Sequence, residues 1–242
     1  MTYCVAVIVP EGIAFCSDSR TSAGVDQINT YTKMFSFGQP GARQFVLLSA
    51  GNLATTQGVI AKIEKDLKLV DGVSLFTVAD MNEAADYIGE ISRAQQAKTG
   101  GGAPYQASFL LGGQITGKPP QLHLVYPEGN HITTSKDTLF LQIGDSKYGK
   151  PILDRIIKTE TSLQTAALCA LVSMDSTMRS NLTVGPPIDV QLYFTDSLAP
   201  GNSYHLVENC DYLVQLRNAW NDKLLESFSQ LPLLQNANIP PQ

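Results

Sequence analysis

The sequence predicts an α+β protein in which two mainly antiparallel sheets pack face to face and helices cover the outer face of each sheet. The first reason is the order of elements, because strand-rich blocks alternate with pairs of helices. The second is that the apolar runs at 3–9 and 44–50 are almost continuous, as expected of strands covered on both faces. The third is the low share of charged residues, 16%, against about a quarter in average proteins. We therefore expect a four-layer αββα sandwich.

Each element follows from the spacing of apolar residues and from the turn sequences between them. Strands are predicted at 3–9, 13–17, 31–37, 44–50, 106–116, 121–126, 130–134, 138–143, 188–195 and 204–207. Helices are predicted at 53–69, 79–98, 146–158, 161–179 and 210–228. No repeat or domain boundary is visible, so we expect one domain over residues 1–230. Residues 231–242 contain three prolines and are expected to form a loose tail.

The first two predicted strands are joined by Pro10-Glu11-Gly12, a sequence typical of turns. A β-hairpin with this turn is expected to place Val5 opposite Ser17. The same register brings the Asp18 carboxylate to the start of the chain, close to Thr2. Spacing along the sequence is therefore sufficient to predict a carboxylate beside the first residues.

Composition argues against several classes of function. The chain has 242 residues and a net charge of -5 without a cluster of Lys or Arg, which argues against nucleic-acid binding. No apolar run approaches the roughly 20 residues that span a bilayer, and no secretory signal is visible, so we expect a cytoplasmic protein without membrane contact. The four cysteines are scattered without ligand spacing, which argues against disulfides and zinc. The low charged fraction is consistent with a subunit interface.

Thr2 is the first candidate for chemistry, because it follows Met1 directly and a smooth apolar strand begins at once. We expect no leader before it. If Met1 is removed, the α-amine of Thr2 lies beside its own hydroxyl, an arrangement of base and nucleophile that covalent catalysis uses. An N-terminal amine has a reference pKa of about 7.7–8.0, so it can act as a base near neutral pH. A Met-Thr start alone is a weak signal, since most such chain ends carry no chemistry.

Three further candidates each have an ordinary structural alternative. Asp18 can accept hydrogen bonds at the end of a strand, and Lys33 can be a solubility residue on an edge strand. Gly51 can mark a turn from strand to helix. The three histidines form no catalytic triad, and no GxSxG sequence is present.

Taken together, Thr2, Asp18, Lys33 and Gly51 resemble the proteasome-type N-terminal-nucleophile hydrolases, which include the proteasome β subunits and the peptidase HslV. Longer matches resemble the bacterial Anbu subgroup of this family and extend over nearly the whole chain. These matches lie at 1–6, 17–26, 142–155 and 173–181. The resemblance implies the αββα sandwich that the element order also favours.

The resemblance implies a role for each of the four residues. The Thr2 hydroxyl would attack a carbonyl, and the Thr2 amine would take its proton. The charge of Lys33 would lower the pKa of the nucleophile, and Asp18 would orient Lys33. The Gly51 N–H would bind the oxyanion of the tetrahedral intermediate.

The resemblance also shows departures from the family pattern. Asp175 matches the aspartate that contacts the amine of the nucleophile. The family usually has a serine three residues later, where this chain has Met178, and Ser176 or Ser180 are the possible substitutes. Another family serine, near the middle of the chain, corresponds to Asp145.

The interpretation that follows is a threonine peptidase that acts through an acyl-enzyme on Thr2, without a metal or organic cofactor. Met1 alone would precede Thr2, as in HslV, and methionine aminopeptidase would remove it. The resemblance implies self-association into a ring or spiral and a peptide or amide substrate; the sequence shows no docking motif for an ATPase. Two alternatives remain: a non-catalytic scaffold or peptide-binding chamber, and a small-molecule amidase.

Overall fold

The computed structural model describes residues 1–22 and 28–233. In chain order its strands are β1 (Tyr3–Val9), β2 (Gly12–Asp18), β3 (Arg20–Ser22), β4 (Ile28–Thr30), β5 (Met34–Gln39), β6 (Arg43–Gly51), β7 (Ala107–Ile115), β8 (Gln121–Val125), β9 (His131–Thr133), β10 (Phe140–Gly144), β11 (Ile188–Phe194) and β12 (Asn202–Leu206). Its helices are α1 (Leu53–Asp66), α2 (Met81–Lys98), α3 (Lys150–Ile156), α4 (Leu163–Ser180) and α5 (Asp211–Ser229). Part of the family-like run at 17–26 and most of the predicted tail at 231–242 lie outside the described residues.

Two five-stranded antiparallel sheets form the two central layers. The first has the order β10-β1-β2-β11-β12, and the second has the order β5-β6-β7-β8-β9. One apolar cluster, which includes Phe15, Leu48 and Leu110, is contributed by strands of both sheets and lies between them. A second cluster, which includes Phe109 and Ile88, joins the second sheet to α1 and α2. On the opposite side, α4 packs against β1 and β2, and α3 packs against α4. The predicted αββα sandwich is confirmed.

The chain divides into two compact units, Met1–Glu208 and Asn209–Gln242. The first contains both sheets and α1 to α4, and the second contains α5. The single domain over 1–230 stays a prediction. None of the helices in the described part of the chain is long and apolar enough to cross a membrane.

The register of the first hairpin differs from the prediction. Gly12 pairs with Val9, so the turn consists of Pro10 and Glu11 alone, and Val5 faces Cys16. The predicted pairing of Val5 with Ser17 is therefore wrong by one residue, because Gly12 is a strand residue and not part of the turn.

Lys33 also differs from its predicted position within a strand. The strand β5 begins at Met34, one residue later, although the Lys33 carbonyl still accepts a hydrogen bond from the Ser49 N–H at 2.9 Å. The short ribbon of β3 and β4 was not predicted. A short 3-10 helix that was not predicted lies at Ala103–Tyr105, between α2 and β7.

Candidate active site

A cleft of about 380 Å³ opens at the start of β1. Its lining includes Met1, Thr2, Lys33, Gly51 and Asp145. Thr2 and Asp145 flank strands of the first sheet, while Lys33 precedes β5 and Gly51 ends β6 in the second sheet. The structure therefore brings together, between the ends of the two sheets, residues that lie far apart in the sequence.

Lys33 and Asp18 form a buried ion pair beside this cleft. The Lys33 Nζ lies 2.8 Å from Asp18 Oδ1, and the two side chains are only 8% and 0% exposed. A second hydrogen bond joins Lys33 Nζ to the Arg20 carbonyl at 2.7 Å. A buried pair is favourable only where such additional hydrogen bonds satisfy its remaining atoms.

The carboxylate of Asp18 also holds two main-chain groups. The Tyr3 N–H donates to Oδ1 at 3.0 Å, and the Gly185 N–H donates to Oδ2 at 3.2 Å. Burial raises the pKa of Asp18 above its ordinary value, while the charge of Lys33 and these hydrogen bonds oppose the rise. Asp18 thus connects Lys33 to the residue that follows Thr2.

The main chain of Thr2 is held from its other side by the end of β10. The Asp145 N–H donates to the Thr2 carbonyl at 2.8 Å. The preceding Gly144 has a φ of 80°, and a Cβ there would lie 1.9 Å from the Thr2 carbonyl oxygen. Only glycine fits this close approach, so the contact between β10 and Thr2 depends on Gly144.

A buried network that the sequence did not predict continues from the next residue. The Tyr3 ring is fully buried, and its hydroxyl lies 2.6 Å from Ser173 Oγ and accepts from Gln142 Nε2 at 2.6 Å. Burial raises the pKa of Tyr3, so the hydroxyl is neutral. A tyrosine in an otherwise apolar strand is the available sequence signal, because a buried hydroxyl needs a partner.

Gly51 ends β6 at the cleft in a conformation that other residues avoid. Its φ is 116°, and a Cβ there would lie 2.4 Å from the Gln106 carbonyl oxygen. The next residue, Asn52, caps α1 by accepting a hydrogen bond from the Thr55 N–H. The backbone geometry therefore requires glycine at the junction between strand and helix.

Asp145 is a second carboxylate beside Thr2, and its side chain is held by a residue that the sequence did not indicate. Only 7% of Asp145 is exposed, and its Oδ2 accepts from Asn181 Nδ2 at 2.5 Å. Asn181 directly follows α4 as its C-terminal cap residue.

The remaining predicted residues lie on the last turns of α4. Asp175, Ser176 and Met178 are half-buried, and Ser180 is exposed. Within residues 1–22 and 28–233, neither the Ser176 nor the Ser180 side chain makes a hydrogen bond. Replacement of the missing family serine by Ser176 or Ser180 stays a prediction. Over the same residues, no group of three or more His, Cys, Asp or Glu is arranged to hold a metal ion.

Two antiparallel sheets between helix pairs, with a strand that starts at a cleft beside a buried lysine–aspartate pair, define the proteasome-like N-terminal-nucleophile class. Solved structures agree with this class. Anbu (ancestral beta-subunit) from Yersinia bercovieri is 46% identical with a TM-score of 0.92, over 96% of this chain and 98% of that chain. The chain belongs to the Anbu family of proteasome-related proteins.

Two further Anbu structures support the assignment. The structure described as the helical assembly of the Anbu complex from Pseudomonas aeruginosa is 44% identical, covers 99% of this chain and 98% of that chain, and has a TM-score of 0.91. Anbu from Hyphomicrobium sp. strain MC1 is 42% identical over 96% of this chain and 99% of that chain, with a TM-score of 0.89. No family model matches this chain, and no curated protein matches it.

Proposed function

We propose that this chain is a cytoplasmic threonine peptidase that hydrolyses amide bonds through Thr2 after Met1 is removed. The observation that carries the proposal is the buried pair of Lys33 and Asp18. The Asp18 carboxylate accepts a hydrogen bond from the N–H of Tyr3, the residue that follows Thr2. A buried charge pair is expensive to form. Its location beside the chain start supports a chemical role for that start.

In the proposed first step, the Thr2 hydroxyl attacks the carbonyl carbon of a substrate amide. The α-amine of Thr2 takes the hydroxyl proton as general base. The positive charge of Lys33 lowers the pKa of both the Thr2 hydroxyl and the Thr2 amine. It therefore favours the alkoxide form of the hydroxyl and the neutral form of the amine. Asp18 orients Lys33 for this role.

In the second step, the Gly51 N–H stabilises the oxyanion of the tetrahedral intermediate. The substrate C–N bond breaks, the leaving amine takes the proton from the Thr2 ammonium, and an ester forms on Thr2. Water then hydrolyses the ester and restores the hydroxyl. Loss of one oxyanion donor typically lowers the rate by about 100- to 1,000-fold.

Removal of Met1 is a condition of this chemistry. While Met1 is present, the nitrogen of Thr2 is part of a peptide bond and cannot accept the proton. Met1 is 67% exposed and lines the cleft, so an aminopeptidase has access to it. Methionine aminopeptidase accepts small second residues such as threonine.

We also propose that copies of this chain associate into a ring or spiral. The support is the 44% identical relative from Pseudomonas aeruginosa, whose structure is described as a helical assembly. Such an assembly would place the clefts of many copies near one another, with a peptide or amide as substrate.

The test is the reaction of the purified protein with a peptide epoxyketone, followed by intact mass. An epoxyketone forms its ring adduct only with a free amine and a hydroxyl on the same residue. We expect loss of Met1 and the addition of one inhibitor molecule. The matched control is Thr2→Ala, which offers the amine without the hydroxyl and should remain unmodified. Protein without Met1 that forms no adduct would contradict the proposal.

A non-catalytic assembly or peptide-binding chamber is the second candidate, and a specific observation favours it. Met178 stands where the family usually has a serine near the amine of the nucleophile, and a thioether cannot donate a hydrogen bond. Absence of the adduct combined with a helical or ring assembly would support this candidate. If the adduct forms, turnover of peptide libraries against simple amides distinguishes a peptidase from a small-molecule amidase.

A further inference from the structure

Asp145 lines the cleft, and no cation of the described residues pairs with its carboxylate. Asp145 is 93% buried, given its 7% exposure, and Asn181 donates to its Oδ2. In the part of the chain that the structure describes, its Oδ1 accepts no hydrogen bond and the carboxylate forms no ion pair. Oδ1 is therefore the oxygen of this carboxylate that remains available to a cation in the cleft.

The position of Asp145 is fixed by Thr2 itself. The Asp145 N–H binds the Thr2 carbonyl at 2.8 Å, and both residues line the same cleft. Gly144 in its left-handed conformation permits this contact, and no residue with a side chain fits at this position. A charge that appears on the Thr2 nitrogen consequently belongs to the residue whose carbonyl pairs with the main chain of Asp145.

Lys33 and Arg20 have partners other than Asp145. Lys33 is paired with Asp18, and Arg20 donates to the Leu182 carbonyl and lies 3.6 Å from Glu208, while among the described residues its buried Nε has no hydrogen-bond partner. Asp175 lies on α4, the helix that Asn181 ends, and has interactions of its own. The cation that Asp145 lacks is thus not supplied by these side chains.

We propose that Asp145 binds the α-ammonium group of Thr2 once Met1 is removed, and that it thereby sets the pH above which Thr2 can act. The inference rests on the proposed exposure of Thr2 as the N-terminal residue. With Met1 in place, the nitrogen of Thr2 is an amide and carries no charge. Removal of Met1 creates a cation on a residue that lines the same cleft as this carboxylate.

The direction of the effect follows from the charge. A carboxylate stabilises the protonated form of a neighbouring amine and raises its pKa, whereas Lys33 acts in the opposite direction. Since the amine must be neutral to act as a base, Asp145 shifts reactivity to higher pH. Replacement of Asp145 by a neutral residue of the same shape shifts it back to lower pH.

The test measures the Thr2 amine directly and without turnover. The full chain is produced with Thr2 at its N terminus by cleavage of a fusion immediately before Thr2, and carbamoylation by cyanate is followed across pH by mass spectrometry of the N-terminal peptide. Only the neutral amine reacts, and the ratio between two variants at each pH cancels the pH dependence of the reagent. We expect Asp145→Asn to lower the labelling midpoint by about one pH unit, or up to about tenfold faster labelling below the midpoint.

Two further variants make the result decisive. Asp154→Asn removes an exposed carboxylate that pairs with Lys150, and it should leave the midpoint unchanged. Asn181→Ala removes the hydrogen bond to Asp145 and keeps the charge, so the midpoint should stay at or above that of the unmodified sequence. An unchanged midpoint in Asp145→Asn would overturn the inference, and so would a fall in Asn181→Ala equal to that in Asp145→Asn.

Failure of this inference and failure of the proposed function can be distinguished. Labelling reports the protonation of the amine, whether or not the protein is a peptidase. A shifted midpoint without an epoxyketone adduct would support the Asp145 pairing and contradict the peptidase. An adduct with an unshifted midpoint would support the peptidase and contradict the Asp145 pairing.

Discussion

Asp18 and Asp145 are both buried next to the start of the chain, yet their surroundings differ. Asp18 is fully buried and accepts hydrogen bonds from Lys33 and from two main-chain N–H groups. Asp145 is 7% exposed, and within residues 1–22 and 28–233 its carboxylate accepts one hydrogen bond, from the neutral amide of Asn181. The first carboxylate is therefore compensated within the fold, while the charge of the second is available to another group. Burial alone does not distinguish a structural carboxylate from one that can act on a neighbour.

The largest effect on stability should come from removing the cation of the compensated pair. Lys33→Met leaves the buried Asp18 without its partner, which we expect to lower the free energy of unfolding by about 3–5 kcal/mol. Burial already raises the pKa of Asp18, and the variant lacks the charge of Lys33 that opposes this rise, so Asp18 binds a proton more readily in the folded than in the unfolded variant. The loss should then be larger near pH 8 than near pH 5. Urea unfolding at both pH values measures it.

The control for Lys33→Met is an ion pair on the surface. Lys150 and Asp154 pair at 2.7 Å with side chains 56% and 49% exposed. Lys150→Met should change the free energy of unfolding by less than about 1 kcal/mol. Equal losses in the two variants would show that the buried pair has no special weight.

His123 tests whether a buried histidine makes the fold sensitive to pH. The residue is 1% exposed. Its Nδ1 lies 3.3 Å from His131 Nδ1, and its Nε2 lies 3.1 Å from Gln121 Oε1. Burial and the neighbouring His131 lower the pKa of His123 to about 4. The folded pKa is below the unfolded value of about 6.5, so stability is complete above pH 6.5 and is lost as the pH falls toward 4. We expect a loss of about 2–3 kcal/mol over this range.

The measurement is the free energy of unfolding near pH 7 and near pH 4.5 for His123→Gln and for the unmodified sequence. The variant should lose less stability on acidification. His205→Gln, at a histidine that is 61% exposed, should keep the full acid loss. A His123→Gln variant with unchanged acid sensitivity would assign that sensitivity to other groups.

Tyr3 tests how much the buried hydroxyl network beside Thr2 contributes to the stability of the fold. Tyr3→Phe removes the hydroxyl and leaves Ser173 and Gln142 with one buried partner fewer. We expect a loss of about 1–3 kcal/mol in thermal or urea unfolding. Tyr204→Phe, at a residue that is 47% exposed, should be almost neutral. Similar values for the two variants would contradict the importance of the buried network.

The smallest effect on stability is expected at the uncompensated carboxylate. Asp145→Asn keeps an oxygen that can accept from Asn181 and removes a buried charge. The free energy of unfolding should change by less than about 1 kcal/mol. A loss as large as that of Lys33→Met would mean that Asp145 is compensated by the fold after all.

The sequence predicted the layers of the fold better than the details that place the site. The apolar runs of β1 and β6 and the element order were sufficient for the αββα sandwich, since burial on both faces is visible as periodicity. The hairpin register was wrong because Gly12, which usually marks a turn, is a strand residue here. A glycine in a strand and a glycine in a turn have the same sequence signal.

The candidate site was predicted in part from spacing and in part from resemblance. The first hairpin brings Asp18 to the chain start through local contacts, and Tyr3 donates to Asp18 as a result. Lys33 and Gly51 flank strands of the other sheet, and no periodicity reports contacts between sheets. Asn181 was not predicted because periodicity also gives no information on its contact with Asp145, which lies 36 residues away along the chain.

The placement of Thr2 at the open end of an interior strand has a practical consequence. β1 lies between β2 and β10, and Met1 lines the cleft. A purification tag or fusion partner added before Met1 would therefore start at the cleft. It could occupy the cleft as a covalently attached ligand. Short tethers give effective concentrations on the order of millimolar. An N-terminal tag would then compete with every free ligand that binds more weakly than that, and inactivity of such a fusion would say nothing about the protein itself.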